Sequence, residues 1–304
     1  MNIFKYLSRR LSRAVLHRLQ LDANLFRQNK LKLTTAIARG EILIDDMPGI
    51  DLKMVIDPAM YFKVGYTSYI FEPDSLDFIR DHFQQGQTFL DVGANVGYFS
   101  LFCSKIGGSH SRIIAFEPGD FACRLLQKNK AINGFDQLEI VQAGLGERNE
   151  EVLFNSGKPG MEVYNSLGAI VHPSADPDQF HQISIPLFKG TTWLDEHHVN
   201  HIDLMKLDVE GGEYFVLKGM LEMFQSQKIA RLLIEITTEM SHAFGYEPND
   251  IISLLRECGY AWFCLGSCGR LKPLRSNDIS KAPEGGHMFV ALSPRASRQI
   301  AGRH

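Results

Sequence analysis

The stretch Thr88-Phe89-Leu90-Asp91-Val92 ends in Gly93-Ala94-Asn95-Val96-Gly97, and an apolar pattern resumes at Tyr98-Phe99. This order reads as a strand, a glycine-rich turn and a helix start. Glycine at 93 and 97 permits positive φ and removes the Cβ that would keep a ligand off the backbone. Asn95 tolerates the left-handed region better than most residues. In doubly wound sheets ligands bind beyond the carboxyl ends of strands, so this turn is the expected cofactor site. The dinucleotide fingerprint places its glycines at offsets 0, 2 and 5. Here the turn-forming residues stand at 93, 95 and 97, and residue 98 is tyrosine. Asp91 would repel a pyrophosphate but suits the ammonium and sulfonium groups of S-adenosylmethionine. Glu117, in Phe116-Glu117-Pro118, lies 24 residues past Gly93. An acid at that offset accepts hydrogen bonds from ribose hydroxyls in either cofactor. Together Asp91 and Glu117 favour S-adenosylmethionine.

A second cluster lies in Met205-Lys206-Leu207-Asp208-Val209-Glu210-Gly211-Gly212-Glu213. Three carboxylates and a lysine at a strand end are costly unless they meet a ligand or each other. Lys206 alternates with apolar residues and is expected to pair with an acid. Glu210 and Glu213 could instead bind the amides of the following helix. Glu235 ends the next strand and His242 follows it; a histidine titrating near pH 7 suits base chemistry. His197, His198 and His201 stand near Asp203, but with loop spacing that does not match a metal site. No metal is expected.

The elements that must position these groups alternate along the chain. A helix opens at Pro73-Asp74-Ser75 and stops at Gly86. Strands are expected at Thr88–Val92, Arg112–Phe116, Leu138–Ala143, Ile202–Leu207, Arg231–Ile236, Tyr260–Phe263 and His287–Leu292, with helices from Tyr98, over Phe121–Asn129 and over Asp250–Cys258. Continuous apolar strands separated by helices indicate a parallel sheet covered on both faces. Residues 155–186 break the alternation with glycines and prolines among polar residues. They read as a long loop, either functional or a surface excursion. Asn165-Ser166-Leu167-Gly168 would reach the strand ends if that segment folded over the sheet.

The composition is that of an ordinary globular chain. Of 304 residues 44% are hydrophobic and 22% charged, which excludes collagen-like and disordered classes. A net charge of −3 gives no global field for nucleic acid. Five cysteines without paired C-x-x-C spacing favour a reducing, cytoplasmic setting. No apolar run reaches the roughly 20 residues of a membrane span. Residues 1–30 carry seven basic side chains against Asp22, with Phe4, Leu7, Leu11, Val15 and Leu19 at helical spacing. Such a helix can lie on an anionic membrane surface, or pack on its own domain or on a second subunit. The expected division is an N-terminal extension, residues 1–61, and a catalytic domain, residues 62–295.

The motifs D-V-G-A-N-V-G-Y-F at 91–99, F-E-P at 116–118 and L-M-K-L-D-V-E-G-G-E at 204–213 resemble the FkbM family of S-adenosylmethionine-dependent methyltransferases. T-T-W-L-D at 191–195 and the Gly65–Pro73 segment are similar to further family stretches. The resemblance covers about residues 62–265. It implies an α/β class I (Rossmann-like) methyltransferase fold: a seven-stranded, mainly parallel sheet with an antiparallel last strand. It also implies O-methylation of a sugar, glycan or small-metabolite hydroxyl. The expected cofactor set is Asp91, Gly93, Ala94, Asn95, Gly97, Glu117, Pro118, Gly144 and Asp208, with Asp208 near the methionine moiety. Glu210 is the first choice for general base, with Asp208 and His242 as further catalytic candidates. The sequence departs from the family at Val141-Gln142-Ala143, where no acid awaits the adenine amine, and at Gly211-Gly212, where a bulkier residue is common. A nicotinamide oxidoreductase and a non-catalytic cofactor-binding module are the competing readings. Asp208-Val209-Glu210-Gly211 lacks the prolines of DNA amino-methylating enzymes, which argues against DNA and leaves protein acceptors open.

Overall fold

The computed structural model describes residues 42–57, 70–158, 161, 165–167, 177–276, 279 and 288–301. The basic N-terminal stripe, most of Gly65–Pro73 and the centre of the 155–186 segment lie outside the described residues. By its internal contacts the chain divides into residues 1–71 and 72–304. The first unit contains an antiparallel pair, β1 (Ile42–Ile44) and β2 (Met54–Ile56).

The second unit is built on an eight-stranded sheet. Its strands are β3 (Thr88–Val92), β4 (Arg112–Phe116), β5 (Leu138–Val141), β9 (Leu204–Leu207), β10 (Arg231–Glu235), β11 (Ala261–Gly266), β12 (Arg270–Pro273) and β13 (Met288–Leu292). Their order is β12-β11-β13-β10-β9-β3-β4-β5. From β5 to β10 every pairing is parallel, and β13 enters antiparallel between β10 and β11. Seven strands therefore follow the expected class I plan with an antiparallel last strand. The eighth, β12, is an added edge that hairpins back from β11. The order in which the chain adds strands reverses between β3 and β9, and the turn after β3 opens at that switch point, as in other doubly wound folds.

Helices α1 (Pro73–His82), α2 (Tyr98–Gly107) and α3 (Asp120–Asn133) lead into or out of the first strands. Next come α4 (Gly190–Glu196), α5 (Glu213–Gly219), α6 (Leu221–Gln225), α7 (Thr238–Ala243), α8 (Pro248–Glu257) and α9 (Pro294–Ala301). The apolar strand residues are buried from both sides: Leu90, Ile114, Met205 and Leu232 are fully enclosed. This explains why they read as continuous apolar runs rather than alternating ones.

The segment expected as a loop differs most. Its ends form a long antiparallel hairpin, β7 (Glu150–Gly157) with β8 (Phe180–Lys189), joined by β6 (Gly144–Gly146) into a second, three-stranded sheet. Val152 and Phe154 on one arm and Ile183, Ile185 and Leu187 on the other stand at every second position and pack together, a period of two that the exposed Leu153 and the interposed Pro186 obscured. The strand expected over Leu138–Ala143 stops at Val141 for the same reason: the chain leaves the large sheet to start β6. Among the described residues no helix is long and apolar enough to cross a membrane.

Candidate active site

The turn after β3 is shaped by two close approaches. Gly93 has φ +83, and a Cβ there would collide with the backbone oxygen of Asp208 at the end of β9. Gly97 has φ +92 and faces Leu126 of α3 in the same way. Glycine is required at both places, because side-chain-bearing residues neither adopt these angles readily nor fit. The Gly93 and Ala94 amides donate to the Phe116 carbonyl, 3.0 Å each, and thereby tie the turn to β4. Asn95, at φ +50, donates its backbone N–H to Glu117 Oε2 at 2.8 Å. Glu117 Oε1 accepts the Gly119 N–H at 2.8 Å, past Pro118. Glu117 is thus fixed by two backbone donors, yet burial pushes its carboxyl up to about 7.

Asp91 is buried in β3. Its Oδ2 accepts the Ser100 hydroxyl at 2.6 Å, while Oδ1 is enclosed with no partner among the described residues. Burial raises its pKa, opposed by Lys206 and Ser100. An enclosed acceptor without a donor costs about 1–3 kcal/mol unless a ligand supplies one.

At the end of β9, Lys206 Nζ donates to Asp208 Oδ2 at 2.7 Å and lies 4.8 Å from the centre of the Phe99 ring. Burial works against ionisation of Asp208, but Lys206 outweighs it and holds the carboxyl below its usual range. Glu235, ending β10, shares a hydrogen bond with Asp208 and is pushed up by that charge and by burial. Glu235 therefore carries the proton of this carboxyl pair. Glu72 also belongs to the cluster: it sits at φ +40 before α1, accepts the Ser75 hydroxyl at 2.8 Å, and is raised by burial against the pull of Lys206. Sequence reasoning missed it. Its signal was Phe71-Glu72-Pro73, an acid directly before a helix-starting proline.

The three turn acids separate. Glu213 Oε1 accepts the Val209 and Gly211 amides, and its Oε2 accepts the Tyr246 hydroxyl. It is an architectural cap for the turn. Glu210 accepts no hydrogen bond from a described residue, stands at φ +55, and is raised to about 8 by burial, Asp208 and Glu213. Gly211, at φ +104, is packed by the Phe244 ring, which would strike any Cβ there.

Other expected residues lie apart from the cluster. His242 Nε2 stands 3.0 Å from Glu247 Oε2 with both side chains more than half exposed, a surface pair rather than a member of the carboxyl group. Gly144 lies in β6, where a Cβ would stand 2.5 Å from Leu187, so packing in the small sheet explains it. His197 stacks on Trp193 at 3.8 Å, and His201 faces Asp203 at 3.5 Å. Among the described residues no His, Cys, Asp and Glu group is arranged to hold a metal.

Among the described residues the sheet end thus offers a buried acceptor without a donor, an anchored acid and a carboxyl without a hydrogen-bond partner, which together can take an ammonium, a ribose and a proton. The Methyltransferase FkbM domain matches residues 91–261, more than half the chain and every residue of this site except Glu72 and Ser75. Methyltransferase 1 of Beauveria bassiana is 26% identical over 183 residues, 56% of this chain and 72% of that protein. Hexuronic acid methyltransferase AglP of Haloferax volcanii is 26% identical over 187 residues, 61% and 68% respectively. A solved methyltransferase FkbM of Methylobacillus flagellatus aligns at TM-score 0.40 and 15% identity, over 68% of this chain and 43% of that one. The motifs at the ends of β3, β4 and β9 and the domain match agree: this chain belongs to the FkbM methyltransferase family, whose cofactor is S-adenosylmethionine.

Proposed function

We propose that the protein methylates a hydroxyl of a sugar or small metabolite, with Glu210 as the general base. The residues present fit the cofactor on an observation of this structure, the enclosed and unpartnered Oδ1 of Asp91. An ammonium is the complement that oxygen lacks. Asp91 would hold the cofactor's amino group, Glu117 its ribose, and the Gly93–Gly97 turn would let it approach the backbone. When bound, S-adenosylmethionine supplies an electrophilic methyl on a good leaving group. The protein's part is then position, exclusion of water and one proton. Asp208 is committed to Lys206 and Glu235 holds the pair's proton, so neither is free to accept another. Glu210 is the carboxyl left over: it takes the acceptor's hydroxyl proton onto its own oxygen as the new O–C bond forms.

That unspent carboxyl at the strand end carries the reading. A hexuronic acid methyltransferase among the relatives supports a sugar acceptor. The test is S-adenosylhomocysteine formation across a panel of neutral hexosides, hexuronides and polyols. E210Q is expected to lower turnover about 10²–10⁴-fold while binding S-adenosylhomocysteine within threefold of wild type. H242A should match wild type. Undiminished turnover by E210Q would remove Glu210 from the reaction.

A further inference from the structure

The β7–β8 excursion returns one described side chain, Asn165, to the turn after β4. A Cβ on Gly119 would collide with Asn165 Nδ2 and would lie 2.8 Å from Glu117 Oε1. The amide donor and the anchored carboxylate therefore border the same point. The orientation of the amide follows from its other end: Asn165 Oδ1 accepts the Gly157 backbone N–H at 2.7 Å. A flipped amide would set its NH₂ against that N–H, so Nδ2 faces Glu117. The neighbouring residue is pinned as well, since Asn155 and Ser166 exchange backbone hydrogen bonds of 2.9 and 3.3 Å. Ser156, on the same arm, donates to Asp120 Oδ1 at 2.9 Å and ties the hairpin to the start of α3.

Glu117 can only accept while ionised, and each of its oxygens already accepts one backbone N–H. A ribose hydroxyl both donates and accepts. A carboxylate alone satisfies half of that capacity, and a hydroxyl oxygen left without its donor in an enclosed site weakens binding. Nδ2 and Oε1 each lie within 2.8 Å of the Gly119 Cβ position, and so within twice that of each other, close enough for a single hydroxyl oxygen between them and clear of Gly119 to reach both.

We infer that Asn165 completes the ribose site, donating from Nδ2 to a ribose hydroxyl oxygen whose proton Glu117 accepts. The inference rests on the cofactor reading above and adds to it a residue from outside the family's strand-end motifs. It gives the β7–β8 hairpin a binding role: the chain that reads as a loop carries the donor the strand-end acid lacks.

Calorimetric titration of S-adenosylhomocysteine, with 2′-deoxy and 3′-deoxy analogues, tests it on the full chain without any acceptor. Asn165→Asp keeps the Oδ1 that holds Gly157 and replaces the donor with a second acceptor. Asn165→Ala removes both functions, and thermal melting checks that each variant folds. Both variants are expected to bind S-adenosylhomocysteine about tenfold more weakly, with the loss shrinking below twofold for one of the deoxy analogues. If N165D binds like wild type and only N165A is weak, Asn165 merely braces the hairpin and the inference is overturned. Equal losses on all three ligands also overturn it, since the effect then bypasses the ribose. A folded wild type and E117Q that both fail to bind S-adenosylhomocysteine would overturn the cofactor reading itself.

Discussion

Lys206 Nζ lies 2.7 Å from Asp208 Oδ2, two residues along the same strand end, with the lysine side chain only 3% exposed. Strand alternation puts residues 206 and 208 on one face, so the pair forms within β9 and its exit without help from a loop. The lysine also faces Asp91 on the adjacent strand, where Asp91 and Lys206 are register partners, and it feels the Glu72 carboxyl. Burial alone would depress its pKa, but these acids more than compensate and raise it. The same buried cation holds Asp208 below its usual range and opposes the burial that raises Asp91 and Glu72.

Removing that cation by Lys206→Met leaves the largely buried Asp208 carboxylate without its counter-charge, held by Glu235 alone. Such a break costs about 3–5 kcal/mol, read from urea unfolding at pH 7. With Lys206 present the folded pKa of Asp208 is depressed. The pair's contribution is therefore complete above the unfolded value of about 4 and is lost as pH falls through the folded one. The gap between wild type and variant should narrow below about pH 4.

Burial pushes the Glu117 carboxyl up to about 7. Ribose hydroxyls donate to its ionised form and so lower that pKa on binding. S-adenosylhomocysteine should bind about tenfold more weakly at pH 6 than at pH 8, with proton release near neutrality, and E117Q should abolish the dependence. Calorimetry in buffers of different ionisation enthalpy reads both. Folding follows the opposite sign. A raised folded pKa means that this group's contribution is most favourable below its unfolded value and declines as pH rises through about 7.

Glu210 must be ionised to act as a base, and it is raised to about 8. With saturating cofactor, the nearby positive sulfonium favours the ionised form. The pH profile of kcat/KM for the acceptor should rise with pH to a plateau, with its midpoint at or below 8. In E210Q that limb should disappear. A midpoint unchanged in E210Q would assign it to another group.

Two glycine-to-alanine variants separate strain from collision. At Gly134, φ is +68 with open space around a Cβ, so alanine there costs about 1 kcal/mol of strain alone. At Gly93 the same strain adds to a collision with the Asp208 backbone, which has no rotamer with which to yield. G93A should lose about 3 kcal/mol or more and its S-adenosylhomocysteine binding. Thermal melting and calorimetry of the pair check both.

What the sequence by itself determined is the set of features written in local spacing. Strand β3, the Gly93–Gly97 turn, Glu117 at the second strand end and the acids after β9 were legible, because period, glycine placement and chain order specify them without distant contacts. The parallel sheet followed from apolar runs too continuous to be solvent-facing. What only the tertiary structure decided is which of several similar groups is spent. Glu210 and Glu213 look alike in the chain, yet Tyr246 and two turn amides occupy Glu213, while among the described residues none donates to Glu210. His242 is a plausible base by type, but α7 turns it to Glu247 at the surface. Glu72 and Asn165 reach the site across long stretches of chain, one from ahead of α1 and one from within the β7–β8 excursion. Hydrogen-bond partners and burial depend on contacts between residues remote in sequence, and a single chain's periodicity records only which face a residue takes.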